Sequence, residues 1–372
     1  MEKTMINRFN LYRSHAFPAM ICTLLFVVSA LVSPALMGQD ESGEAPKPVK
    51  LFKSSETMKV KLIAPWRDLL RDTNNGGAFP ATIEYTDELG NSESLPLTVE
   101  RRGLTRQRVC DFPPIRLRFK KQDAKGTTFR GQKSIKMVTH CEKSTRYQQY
   151  YVLEMLAYQI YNQITDFSFR VRPLDIDYVD SERDSNISGK FAFLIEDDSD
   201  VADRHDMKKI KIGRLKPSWL EPEVTSEFTL FQYMIGNVDW AALSGPDPQE
   251  CCHNTKLIGV EPLQKNGDIY PIPYDFDSAG FVDAPYAAPP QGLPIRRVTQ
   301  RLYRGYCVSN PYMEDARKRI LDQERAIMTL VKEEPRLNSK TRSEAEGYLA
   351  DFFEIIKDNR DWNKNIIEKC RK

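Results

Sequence analysis

The chain has 372 residues, enough for a large buried core, with 41% hydrophobic residues and a formal net charge of +2. Three basic residues (Lys3, Arg8, Arg13) and one acid (Glu2) fall within the first 38 positions. Without them the charge is balanced, which excludes a bulk field for nucleic acid or for an anionic membrane surface.

In chain order, that basic start precedes an apolar run at 16–32, followed by Ser33, Pro34, Ala35 and Gly38. This is the layout of a secretory signal peptide over 1–38. The run is short for a membrane span, and an uncleaved anchor is the alternative. No second stretch of spanning length follows, so no stable membrane span is expected after signal removal. The expected location is secreted or periplasmic. Residues 39–52, with Pro46 and Pro48, read as a flexible tether.

Segments 81–85 and 95–100 flank a turn at 88–91 and predict a hairpin. Segments 114–119 and 134–138 alternate apolar and cationic residues, as half-buried strands do. At 146–164 the period changes, with Tyr150, Leu153, Leu156, Ala157, Ile160 and Ile164 on one helical face. Strands return at 167–178 and 190–196 around a polar turn holding Asn186 and Gly189. A helix follows at 225–235, an apolar stretch at 269–274 ends at Asp275, and 312–371 supplies two or three helices. The expected class is α+β: a bilobal protein-kinase-like fold, with a β-rich N-lobe at 53–197 and a mainly helical C-lobe at 198–372.

Cys22 leaves with the signal, and six cysteines remain. An even set in an oxidising compartment favours disulfides, although free buried thiols are the alternative. Cys110 and Cys141 bracket neighbouring strands and are expected to pair; Cys251 or Cys252 with Cys307 is the second expectation. Adjacent Cys251 and Cys252 lack the spacing of a zinc site.

The residues with chemical content lie at 235–280. Asp239 follows a helix and Gly236-Asn237, and is the candidate base, though most such aspartates are turn or capping residues. Asn254 offers a neutral oxygen. Asp275 and Asp277 sit at i and i+2, so a continuing strand would turn both carboxylates to one side, where a cation must neutralise them. Asn254, Asp275 and Asp277 are therefore the candidate metal ligands, for Mg²⁺ or Mn²⁺. In the first half, Lys136 on a strand and Glu154 on the next helix are the candidate ion pair that positions a nucleotide. Arg118 competes for the cation role, and Glu196 is placed to lie beside an adenine. Arg297, Arg301 and Arg304 recur at helical spacing and offer either an anion-binding face or a solvated one. His253 shows no ligand spacing and is read as shaping the Asn254 loop. There is no Gly-x-Gly-x-x-Gly or Walker-type loop, and the 88–91 turn is the available phosphate cover.

Arg102-Gly103 with Arg106, the basic strand and helix around Lys136, Phe-Ala-Phe-Leu-Ile-Glu at 191–196 and Asp-Phe-Asp at 275–277 resemble the spore-coat kinase CotH group over residues 98–285. Gly-Asn-Val-Asp at 236–239 followed by His253-Asn254 more distantly resembles HipA-type kinases. Residues 231–286 also resemble a group of uncharacterised exported bacterial proteins. The resemblance implies Asp239 as base, Asn254 and Asp275 as metal ligands and Asp277 as an auxiliary ligand. These families place the asparagine only a few residues after the base, whereas here the segment 240–253 intervenes, and a disulfide is expected to pinch it off. The implied function is an exported, Mg²⁺-dependent, ATP-using transferase, most simply a Ser/Thr protein kinase with a nucleotide and a protein acceptor as partners. The alternatives are a non-catalytic binding module at the bacterial envelope and a metal-dependent phosphoester hydrolase.

Overall fold

The computed structural model describes residues 48–72, 77–247 and 249–372. The expected signal peptide at 1–38 and most of the tether lie outside them. The last tether residues are not loose: Lys50–Phe52 forms a 3₁₀ turn that buries Leu51 and Phe52 in the first core.

Ten strands and ten α-helices are present among the described residues. The strands are β1 (Met58–Ala64), β2 (Phe79–Thr86), β3 (Ser92–Arg101), β4 (Ile115–Arg118), β5 (Ser134–Val138), β6 (Val171–Asp180), β7 (Asn186–Ile195), β8 (Lys208–Lys209), β9 (Thr255–Gly259) and β10 (Ile269–Pro273). Short helices α1 (Trp66–Arg71), α2 (Arg106–Val109) and α3 (Lys121–Ala124) decorate the first half. Then come α4 (Thr145–Ile164), α5 (Asp198–Arg204), α6 (Pro222–Met234), α7 (Met313–Asp322), α8 (Glu324–Glu333), α9 (Ser339–Lys357) and α10 (Asn359–Asn365).

Strands β1 to β7 form a closed barrel in the order β1-β2-β3-β4-β5-β7-β6. Six neighbouring pairs are antiparallel. The seventh pair, β1 with β6, is parallel and seals the sheet, with Val60 opposite Ile176 and Leu62 opposite Tyr178. This overturns the expected bilobal kinase-like fold with a sheet N-lobe. The physical reason is β1, which the sequence reading passed over. Its alternating Met-Lys-Val-Lys-Leu-Ile-Ala pattern buries every second side chain and adds the stave that closes the sheet on itself.

The barrel interior is filled by inward residues such as Val60, Leu62, Ile83, Leu97, Val99, Leu117, Ile135, Leu174 and Leu194. Strand β7 is apolar on both faces because it serves two cores. Ala192 and Leu194 fill the barrel, while Phe191, Phe193 and Ile195 pack outward into the core shared with α4. Asn186 and Gly189, expected in a turn, instead begin β7. Helix α4 is buried over most of its length beyond the first turn, with Tyr151, Tyr158 and Tyr161 at 0–1% exposure. It meets α6 through Tyr161 and Phe231, whose ring centroids are 4.4 Å apart.

Helix α6 opens with Glu221 capping the Val224 N–H (2.6 Å) and Pro222 in its first turn. It stops at Gly236, whose φ of +63° suits glycine alone at this place. A Cβ there would fall 2.0 Å from the Tyr348 hydroxyl. Strands β8 to β10 make a second, antiparallel sheet in the order β10-β9-β8. Arg297, Arg301 and Arg304, at helical spacing in the sequence, lie in a segment without regular structure. Pro46–Lys372 forms one compact unit.

Three disulfides are present among the described residues. Cys110–Cys141 is as expected, whereas Cys251 bonds its neighbour Cys252, and Cys307 bonds Cys370 instead of either. Three disulfides fit a protein exported to an oxidising compartment. Among the described residues no helix is long and apolar enough to cross a membrane.

Candidate functional site

The sharp end of α6 starts the site. Gly236 turns the chain, the Asn237 side chain accepts from the Asp239 N–H (3.0 Å), and Asp239 is left at the surface of a cavity. The segment 240–253 then leaves and returns. Two backbone hydrogen bonds between Ala241 and His253 (2.9 and 3.1 Å) close it at its base. Closure is therefore by main-chain pairing, while the Cys251–Cys252 bond lies inside the excursion. Asn254 arrives beside Asp239 despite the intervening residues. Its amide Nδ2 donates to the Asp239 carbonyl (2.7 Å) and to Oδ2 (3.2 Å). His253 Nε2 lies 2.8 Å from Asp239 Oδ1. That hydrogen bond raises the imidazole above its ordinary pKa, against its burial.

Strand β10 ends at Pro273, so Asp275 and Asp277 are not on a continuing strand. They still line the same cavity, because Phe276 between them is fully buried against Tyr158 (4.5 Å) and Phe231 (5.4 Å). The Asp275 N–H also donates to the Tyr158 hydroxyl (2.9 Å). Asn254 and Asp275 both have φ in the left-handed region, at +48° and +65°. Asparagine and aspartate tolerate it best, and such residues gather at functional sites.

The opposite wall is the segment between β3 and α2, Arg102 to Arg106, with Pro114, Val138 and Ile195. The Cys110–Cys141 bond and the Arg102 N–H to the Pro114 carbonyl (2.9 Å) pin it. The cavity measures about 320 Å³. Larger hollows of about 590 and 570 Å³ lie on barrel strands, and the second of these is bordered by Arg118. A hollow of about 800 Å³ beside α8 also gathers acids, amides and Arg325. We place the site in the smaller one, because Asp239, Asn254, Asp275 and the Arg102–Arg106 segment meet there.

The charges are distributed differently from expectation. Glu154 pairs with Arg106, not with Lys136, and is 1% exposed. Arg106 also reaches Asp277 Oδ2 (3.1 Å), and the Tyr286 hydroxyl donates to the same oxygen (3.2 Å). Burial works against the Arg106 charge, but Glu154, Tyr286 and Asp277 carry it well above its ordinary pKa. Glu154 is pushed up to about 7 by burial, against the pull of Arg106. Asp275 has no hydrogen-bond or ion-pair partner on its carboxylate among the described residues, and burial, then Asp277, raise its pKa.

Lys136 sits with its ammonium 4.2 Å from the Tyr274 ring centroid, and Arg102 bonds the Tyr274 hydroxyl. Burial, then Arg102 and Lys256, bring Lys136 down to about 8.

Four expected residues are not among those lining the cavity: Lys136, Glu154, Arg118 and Glu196. Arg118 projects from the barrel and pairs with Glu100, because its strand faces solvent at that position. Glu196 is fully buried and held by Arg204 and the Arg170 N–H (2.9 Å), which closes it to an adenine. The 88–91 turn does not border the cavity. Arg301 and Arg304 hold main-chain carbonyls, those of Met234 and Tyr348 and those of Val238 and Trp240 respectively. Sequence reasoning missed Arg106 as the partner of both acids, and His253 as the partner of Asp239. The one available signal was Arg102-Gly103 with Arg106 ahead of a short helix.

Compared with known proteins, the chain matches no family model, no curated protein and no solved structure at a significant level. The resemblance to the CotH group therefore rests on the motif residues alone.

Proposed function

We propose that this cavity is the centre of an exported phosphotransferase that moves a phosphoryl group from ATP to a Ser or Thr hydroxyl on a protein acceptor. The supporting observation is that Asp239, Asn254 and Asp275, distant in sequence, border one cavity opposite Arg102 and Arg106.

A divalent ion at this site would depend on the oxygen donors left free there. Asp277 is committed to Arg106 and Tyr286, so it is a poor ligand. Among the described residues the Asp275 carboxylate and Asn254 Oδ1 are free, since Asn254 uses its Nδ2 on Asp239. Among the described residues no group of three or more His, Cys, Asp or Glu stands ready to hold a metal. Two protein oxygens suit Mg²⁺ or Mn²⁺ that completes its shell with water and substrate phosphates. Such an ion would neutralise the phosphate oxygens when bound.

The remaining work falls to this chain's own groups. Asp239, gripped by Asn254, orients the acceptor hydroxyl, and the Asp239–His253 pair gives its proton a destination. Arg102, which borders the cavity, offers the phosphates a cationic wall. In this reading the protein works at the bacterial envelope after loss of residues 1–38.

A non-catalytic binding module is the second reading. One observation favours it: Arg106 already balances Glu154 and Asp277, so the inner site is neutralised without a ligand.

Thermal unfolding with ATP and Mg²⁺ tests the proposal. Wild type should be stabilised, and Asp275→Ala should lose the shift. An identical shift in both proteins, or none in wild type, overturns the transferase reading, and none in wild type favours the binding module. Labelled phosphate should then pass from ATP to a generic acceptor protein with wild type and not with Asp239→Ala. Nucleotide binding with no transfer selects the binding module.

A further inference from the structure

The C-terminal end of the chain is stitched against the segment carrying Asp239. Cys307 bonds Cys370, the Cys307 N–H donates to the Arg371 carbonyl (2.9 Å), and the Arg371 N–H donates to the Gly305 carbonyl (2.8 Å). The Arg371 guanidinium is thereby held 5.4 Å from the Trp240 ring centroid and 4.8 Å from that of Tyr306. Arg304 lies 5.2 Å from the same indole and donates to the carbonyls of Val238 and Trp240.

Two guanidiniums sharing one indole repel each other. Burial, then Arg371, pull Arg304 down to about 10. Among the described residues neither has an ion-pairing carboxylate; Asp239, which attracts Arg304 from farther off, is engaged by His253 and Asn254. The Arg371 side chain is hydrogen-bonded to Tyr306, but among the described residues its buried Nε and Nη2 have no hydrogen-bond partner. Desolvated like charges with idle donors are costly until an anion joins them.

We infer that Arg304 and Arg371 form a binding site for a small tetrahedral oxyanion of the phosphate or sulfate class, separate from the cavity holding Asp275. A guanidinium fork matches two oxygens of such an ion, and a planar side chain stacked on an indole is already oriented to do so. Bound there, the ion relieves the repulsion on Arg304 and so steadies its grip on the carbonyls either side of Asp239.

Isothermal titration of the full chain with inorganic phosphate tests this, with sulfate and chloride at matched ionic strength as the other arms. Wild type should bind phosphate and sulfate but not chloride. Arg371→Gln should weaken phosphate binding by about ten-fold or more, the scale of one lost charge-assisted hydrogen bond. Main-chain bonds hold residue 371, so this variant should fold, with near-ultraviolet circular dichroism as the check. Should it not fold, Arg371→Lys, which keeps the charge and loses the fork, should weaken binding in the same direction. Arg102→Gln removes a cation from the main cavity, so phosphate binding that persists in Arg102→Gln and drops in Arg371→Gln reports this site alone. Absence of phosphate binding in wild type, equal affinity in Arg371→Gln, or chloride matching phosphate overturns the inference.

Discussion

Arg106 stands between two acids that would otherwise repel each other, and it leaves Asp275 as the carboxylate of the site with an open face. That distribution could not be read from the chain, because Arg106 and Glu154 are 48 residues apart. Lys136 on a strand ahead of a helix was the better sequence candidate, and the aromatic face of Tyr274 took it instead. A second buried acid shows what such a group costs when its cation is half in water. Glu227 is 2% exposed, and Arg319, 2.8 Å away, is 50% exposed. Burial lifts Glu227 from 4.5 to about 7. A folded-state pKa above the unfolded one means that stability is complete below about 4.5 and is lost as pH rises through about 7. Between pH 5 and 8 this group should cost wild type about 2–3 kcal/mol. Urea unfolding of wild type and Glu227→Gln at the two pH values should show that difference, with the variant the more stable at pH 8. Parallel pH profiles for the two proteins would refute it.

Asp-Phe-Asp behaves as one element whose middle residue is the anchor. Phe276 fills a gap between α4 and α6, and the flanking aspartates face the cavity because the ring faces the core. Phe276→Ala should cost about 3–5 kcal/mol in urea unfolding. It should also weaken any response to ATP and Mg²⁺, since both carboxylates lose their purchase. A loss under about 1 kcal/mol would show that the ring is not the anchor. Most elements were legible from periodicity. The 81–100 hairpin, the helix at 146–164 and the helix at 225–235 all appear within a few residues of expectation. What escaped was pairing. The alternation at 58–64 was present in the sequence, but nothing in it told that this strand would lie parallel to one more than a hundred residues later. That single long-range pairing separates a closed barrel from the open lobe that was expected. Likewise, regular arginine spacing at 297–304 imitated a helix, whereas the Arg301 and Arg304 side chains hold different carbonyls in a segment without regular structure.

For the whole molecule, the disulfides hold the segments that border the site and the chain end. Cys110–Cys141 encloses 31 residues of sequence and fixes the end of the Arg102–Arg106 segment. Replacing both cysteines by serine should lower the unfolding free energy by about 3–4 kcal/mol, on loop-closure grounds. Chemical denaturation of the double variant measures it, and a loss below about 1 kcal/mol would place the segment's rigidity in other contacts. The excursion at 240–253 carries a different lesson. Two main-chain bonds shut its neck, so what happens beyond Ala241 and His253 need not move Asp239 or Asn254. That ear is itself tied to the body of the protein, by the Leu215 N–H to the Leu243 carbonyl and the Cys251 N–H to the Ile212 carbonyl. It is therefore the exposed residues of its tip that can be redecorated without disturbing the pair beneath it. Any motif that fixes the interval between aspartate and asparagine will overlook chains in which the polypeptide takes such a detour and comes home.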